Sequence, residues 1–239
     1  MNRIINFHEV YDREWFESLV IYLKSRYTMV SMDQLNEFYS GGTKLDHSCH
    51  LTVDDGEQSF YDVIFPVLRK HNIAASLFIS PAVIAKRENY WFQEIRGYDS
   101  NELRRCISFV TTIPFESMKN FDVVWILKSL RITQIRSIIA RYQLVTHTAP
   151  KAFQNISIEN LHEIVQSDLV TIGAHTLNHP VLMNEDNLSA EEEIRSSIEQ
   201  LSAMLNKEIR YFAYPNGTRN FDFTEREERI LERNGIQLA

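Results

Sequence analysis

Leu51-Thr52-Val53-Asp54-Asp55-Gly56 is the stretch on which the fold turns. A short run of apolar and β-branched residues ends in two carboxylates, and glycine then permits a turn. Like the other strand candidates of the chain, the run is short, and as a set they mostly do not alternate polar with apolar residues, as expected of parallel strands covered by helices on both faces. Similar short runs lie outward on both sides: Arg3–Phe7, Thr28–Val30, Ala74–Ile79, Leu169–Gly173, Ile209–Ala213 and Ile236–Ala239. Helical patterns separate them, and this alternation predicts an α/β fold.

The helices carry their own start signals. Ser189 with Glu192 reads as a capping box ahead of the apolar stripe Ile194, Ile198, Leu201 and Leu205. Thr224 with Glu227 repeats the signal, with Gly235 placed as a C-terminal cap, and Ser31 with Gln34 is a further instance. Between about residues 85 and 148 the rhythm breaks. Phe121–Leu130 and Ile135–Tyr142 read as helices with no strand between them, so a helical insertion is expected within one domain spanning 1–239. Tyr90-Trp91-Phe92 and Trp125 of this insertion suit either stacking on sugar rings or burial in a helix pair; burial is the expectation.

With 239 residues, 44% hydrophobic and 24% charged, the composition is that of an ordinary globular domain. Lys+Arg 25 against Asp+Glu 32 leaves a net charge of −7, which argues against a nucleic-acid partner. No apolar run reaches the roughly 20 residues that span a bilayer. The opening MNRIINFHEV lacks a secretory pattern, so a cytoplasmic location is expected. Cys49 and Cys106 are too few for a disulfide framework. The insertion also offers a surface through which copies of the chain could associate.

Three polar clusters sit at strand ends, the side where parallel α/β folds place their sites. The first is Asp54-Asp55-Gly56, which is also an ordinary turn sequence. Adjacent strand residues point to opposite faces, so the turn must redirect one carboxylate if both are to serve one site. The second is His175-Thr176-Leu177-Asn178-His179-Pro180. Two imidazoles four apart can meet at one ion, although among eight histidines such a pair arises easily by chance. The third is Tyr214-Pro215-Asn216-Gly217, a turn in which the Asn216 N–H could face a ligand. Only 7 glycines occur, and Gly56, Gly173 and Gly217 lie beside these clusters. One carboxylate and two histidines make a three-ligand set with open positions, and the second carboxylate is left to activate water. The same set describes a non-haem iron centre, but that chemistry favours all-β folds rather than this β/α rhythm.

The chain resembles the polysaccharide deacetylases, the NodB-homology domain of carbohydrate esterase family four. Thr52-Val53-Asp54-Asp55-Gly56 is similar to that family's T-F-D-D-G, His175-Thr176-Leu177-Asn178-His179 to its H-[ST]-x-x-H, and Phe212-Ala213-Tyr214-Pro215-Asn216-Gly217 to its third motif. Phe7-His8-Glu9-Val10 resembles a first-strand Y-H-x-V. The resemblance implies a distorted (β/α)7 TIM-like barrel whose C-terminal strand is incomplete here. It implies a metal-dependent hydrolase that removes acetyl groups, chiefly N-acetyl, from a carbohydrate. Asp54 would be the base, Asp55, His175 and His179 would bind a divalent metal, usually Zn2+, and the Asn216 amide would hold the oxyanion. Two features depart from the pattern. Ala213 stands where the family often has an Arg that orients the base, and no histidine follows His179 to serve as the usual acid. A glycan-binding protein with weak or no turnover, or a deacetylase cut short, are the alternatives these departures raise.

Overall fold

The computed structural model describes all residues, 1–239. In chain order the elements are β1 (Arg3–Phe7), α1 (Arg13–Arg26), β2 (Thr28–Met29), α2 (Met32–Tyr39), β3 (Ser48–Asp54), α3 (Phe65–His71), β4 (Ala75–Ile79) and α4 (Pro81–Lys86). Helices α5 (Trp91–Glu94), α6 (Ser100–Thr111), α7 (Phe115–Met118), α8 (Val123–Lys128) and α9 (Ile132–Thr146) follow with no strand among them. The alternation then resumes with α10 (Ile158–Gln166), β5 (Val170–Ala174), α11 (Asn187–Leu205) and α12 (Glu225–Arg233). No helix is long and apolar enough to cross a membrane.

All pairings between named strands are parallel. The order runs β1-β3-β4-β5, and β2 pairs with the start of β3. Every residue of β4 is buried, including Ser76, whose hydroxyl meets His50 Nε2 at 2.8 Å, whereas β1 at the sheet edge keeps three of its five residues exposed. Beyond β5 the sheet thins to single bridges, Ala174 to Phe212 and Tyr211 to Leu238. The two terminal strands expected from sequence, Ile209–Ala213 and Ile236–Ala239, are thus reduced to isolated contacts. Their backbones pair only where the chain touches β5 and itself. Between Leu238 and the free edge of β1 lies an apolar cavity of about 520 Å³, lined by Ile4, Met32, Leu35, Phe78, Phe212 and Leu238 among others. The result is a distorted (β/α) barrel that does not close.

A core of 32 buried residues fills the barrel and its helical jacket, and a separate cluster of 13 packs α5 to α9 against one another. The helix starts follow local chemistry. Ser31 and Gln34 form the expected capping box on α2, as do Thr224 and Glu227 on α12. Helix α11 departs from expectation: Asp186 accepts from the Ser189 N–H at 2.9 Å, so the N-cap is Asp186, three residues before Ser189. A carboxylate is as good an N-cap as a hydroxyl and adds favourable charge at the helix start.

Gly173 shows why β5 can take its place. A Cβ there would lie 2.5 Å from the Phe78 ring and 2.9 Å from the Tyr211 carbonyl oxygen. Gly173→Ala is therefore expected to lower stability by about 1–3 kcal/mol through overpacking. Denaturant unfolding checks this, and an unchanged midpoint would mean the seam tolerates a methyl group.

Candidate metal and active site

Strand β3 carries Asp54 and Asp55 to the C-terminal end of the sheet. The redirection the sequence demands is made by backbone: Asp55 is left-handed, φ 71°, and Gly56 follows at φ 70°. Gly56 also fits a tight place, since a Cβ there would lie 2.7 Å from Ile79 Cγ2. Both carboxylates consequently line one cavity of about 320 Å³.

His175 and His179 leave the end of β5 in a tight turn rather than a helix. Thr176 and His179 both take left-handed backbone, φ 60° and 61°. Thr176 Oγ1 accepts from the His179 N–H at 3.0 Å, and Ser80 Oγ donates to the His175 carbonyl at 2.8 Å. The two rings stand 4.8 Å apart, centre to centre. His175 Nδ1 lies 2.7 Å from the Ala213 carbonyl oxygen. A carbonyl only accepts, so Nδ1 carries the proton and Nε2 keeps its lone pair for the site.

That Nε2 lies 3.7 Å from Asp55 Oδ1, and His179 Nε2 lies 3.4 Å from the same oxygen. Ligand atoms of the three residues fall within 4.8 Å of one another. Asp55 Oδ1 and His179 Nδ1 are buried with no hydrogen-bond partner. An orphaned buried acceptor costs about 1–3 kcal/mol, and a cation between the carboxylate and the imidazoles would relieve it at the oxygen. One oxygen and two nitrogen donors, largely buried at the floor of this cavity, are a donor set that fits a divalent metal. The electrostatics agree. Burial pushes the Asp55 carboxyl up to about 6, against the pull of His175. Burial, reinforced by the neighbouring His175, holds His179 well below the usual imidazole range.

Asp54 is held differently. Its Oδ2 accepts from Asn6 Nδ2 at 2.8 Å, and Thr52 Oγ1 donates to Asn6 Oδ1 at 3.1 Å. His8 Nε2 stands 3.8 Å from the same Asp54 oxygen. Asn6 thus orients Asp54 from β1, while the residue at 213, alanine here, contributes its backbone carbonyl to His175. The parallel register that sets Asn6 opposite Thr52 is the signal by which Asn6 could have been found. Asn216 lies in the same cavity wall with a left-handed backbone, φ 67°, and its N–H donates no hydrogen bond within the chain.

The insertion supplies the remaining wall: Trp91, Phe92, Val124 and Lys128. Lys128 Nζ donates to Asn216 Oδ1 at 2.6 Å. Sequence reading missed Lys128, for nothing local marks a residue that meets its partner across 88 positions. Tyr90 and Trp91 are buried, as expected. The Tyr90 hydroxyl donates to the Asp55 carbonyl at 2.7 Å, and Trp91 Nε1 donates to the His179 carbonyl at 3.2 Å. Trp125 contradicts the burial expectation, with 71% of its surface exposed.

An open parallel β/α barrel with a buried Asp-His-His cluster and a second carboxylate at its strand ends has the architecture of a barrel hydrolase. A sequence profile described as polysaccharide deacetylase matches residues 117–238, just over half of the chain, including both histidines and the Asn216 turn. The chain belongs to the polysaccharide deacetylase family. Its fold is similar to IcaB from Ammonifex degensii, with 19% identity and a TM-score of 0.67 over 98% of this chain and 81% of that one. It is also similar to a de-N-acetylase from Aggregatibacter actinomycetemcomitans, with 17% identity and a TM-score of 0.63 over 98% and 85% of the two chains. The Streptococcus pyogenes deacetylase PplD, solved in complex with acetate, has 16% identity and a TM-score of 0.62 over 99% and 81%. No curated protein matches the sequence significantly.

Proposed function

We propose that this chain is a metal-dependent hydrolase, with zinc as its metal, that removes N-acetyl groups from sugar units of a glycan. The observation that carries the reading is the unpartnered, buried Asp55 Oδ1 facing the Nε2 atoms of both His175 and His179. The family membership and the de-N-acetylase among similar folds support the substrate class. Asp55, His175 and His179 would hold the ion, with the Ala213 carbonyl fixing the His175 ring. When bound, the ion supplies Lewis acidity toward the acetyl carbonyl and lowers the pKa of water.

The chain's own groups do the rest. Asp54, steadied by Asn6, accepts the proton of the attacking water. The free Asn216 N–H, in the wall of the same cavity, stabilises the oxygen on which negative charge develops. Asp54 then returns the proton to the departing amine nitrogen, with His8 beside it as a second proton-carrying group. Acetate release from N-acetylated sugar oligomers by the zinc-loaded protein tests the reading. Metal bound without acetate release would favour a glycan-binding role instead, the reading that Ala213 motivates.

Asp55 gives the metal a pH signature. Its pKa in the folded, metal-free chain is about 6, above the ordinary 3.8. The ionised form is therefore penalised, so the stabilising contribution is complete below about pH 4 and is lost as pH rises through about 6. A cation at Asp55 removes this penalty. The rise in Tm on adding Zn2+ should thus be larger at pH 7.5 than at pH 5, and equal rises would dissociate Asp55 from the ion.

A further inference from the structure

Helix α8 presents an edge that the chemistry at Asp54 does not use. Val124 and Lys128, one turn apart, line the cavity with Asp54 and both imidazoles. Trp125 stands next to them on the helix, 71% exposed, with the Lys128 ammonium 5.2 Å from its ring centre. The same ammonium donates to Asn216 Oδ1 at 2.6 Å. Asn184 Nδ2 fixes the end of the helix by donating to the Lys128 carbonyl at 2.7 Å. A continuous path therefore runs from an exposed indole, through a held cation, to the wall of the reacting centre. Phe121, just before the helix and 62% exposed, carries the apolar surface further outward.

A flat, rigid indole offers a large contact area for little loss of conformational freedom. Its face suits the C–H face of a pyranose, and the adjacent ammonium suits the ring's hydroxyl oxygens. A sugar seated at Asp54 as part of a chain would have its neighbour emerging over this edge. We propose that Trp125 is the stacking platform for the sugar ring next to the one that loses its acetyl group. This rests on the deacetylase reading above.

The test compares N-acetylglucosamine with its β-linked tetramer on zinc-loaded wild type, Trp125→Phe and Trp125→Ala. Trp125→Ala is expected to raise KM for the tetramer about tenfold, equivalent to about 1.4 kcal/mol, with kcat and the monomer's KM unchanged. Trp125→Phe should keep most of the wild-type affinity. Equal effects on monomer and tetramer, or none on either, overturn the proposal. Calorimetric titration with the tetramer separates it from the deacetylase reading. Should wild type release no acetate, weaker tetramer binding by Trp125→Ala still upholds the platform while deacetylation falls; equal or absent binding overturns it. A change in sedimentation of Trp125→Ala with tetramer binding intact would make this edge a contact between copies, which also overturns it.

Discussion

Replacing His175 with alanine should leave the purified protein with less than about a tenth of its metal and lower turnover at least about a thousandfold. Only three side chains converge on the position between Asp55 and the imidazoles. Removing one leaves a carboxylate and a single ring whose burial already disfavours any uncompensated charge. The ion's polarisation of a carbonyl is worth several kcal/mol, and each 1.36 kcal/mol of barrier is a factor of ten. Elemental analysis and acetate release read the two effects separately. Full metal content in His175→Ala would remove His175 from the ligand set. The ring is held at Nδ1 by the Ala213 carbonyl, so the alanine variant loses one hydrogen bond at the rim and keeps the β5 pairing to β4.

Asp54→Asn should behave in the opposite way, keeping the metal while losing roughly 10²–10⁴-fold in turnover, the usual range for a lost general base. Asparagine has the same shape, and a flip of its amide presents an oxygen to Asn6 Nδ2, so the 2.8 Å contact survives. What disappears is the ability to take a proton. Unaltered hydrolysis with normal metal content would show that Asp54 does not act as the base and would shift attention to His8, 3.8 Å away.

Much of this was legible because parallel β/α folds place polar residues at strand ends. Asp54-Asp55, His175 with His179, and Asn216 were each readable as clusters, and the structure brings all five to one cavity. The need for a redirected carboxylate followed from strand alternation alone, and Asp55 meets it at φ 71°. Other features required the third dimension. The weak pairing of Tyr211 and Leu238 cannot be inferred from their apolar runs, which suit a full strand equally well. Helix α6 was overlooked although Asp99 caps it and Leu103, Cys106 and Ile107 form a buried stripe. Lys128 and Trp125 had no local signature, since their meaning comes from Asn216 and from solvent.

The packing of α5 to α9 around a cluster that shares no member with the barrel's interior has an evolutionary corollary. On the proposed function, chemistry and choice of substrate would be lodged in separately packed units. Replacements can accumulate in the helical unit and reshape the sugar-facing wall without unseating the aspartate and imidazoles beneath it. The exceptions lie at the start of α5, where Tyr90 donates to the Asp55 carbonyl, Trp91 to the His179 carbonyl, and Phe92 packs on the His179 ring. Divergence of specificity should therefore be freest around Val124 and Trp125 and most restrained from Tyr90 to Phe92.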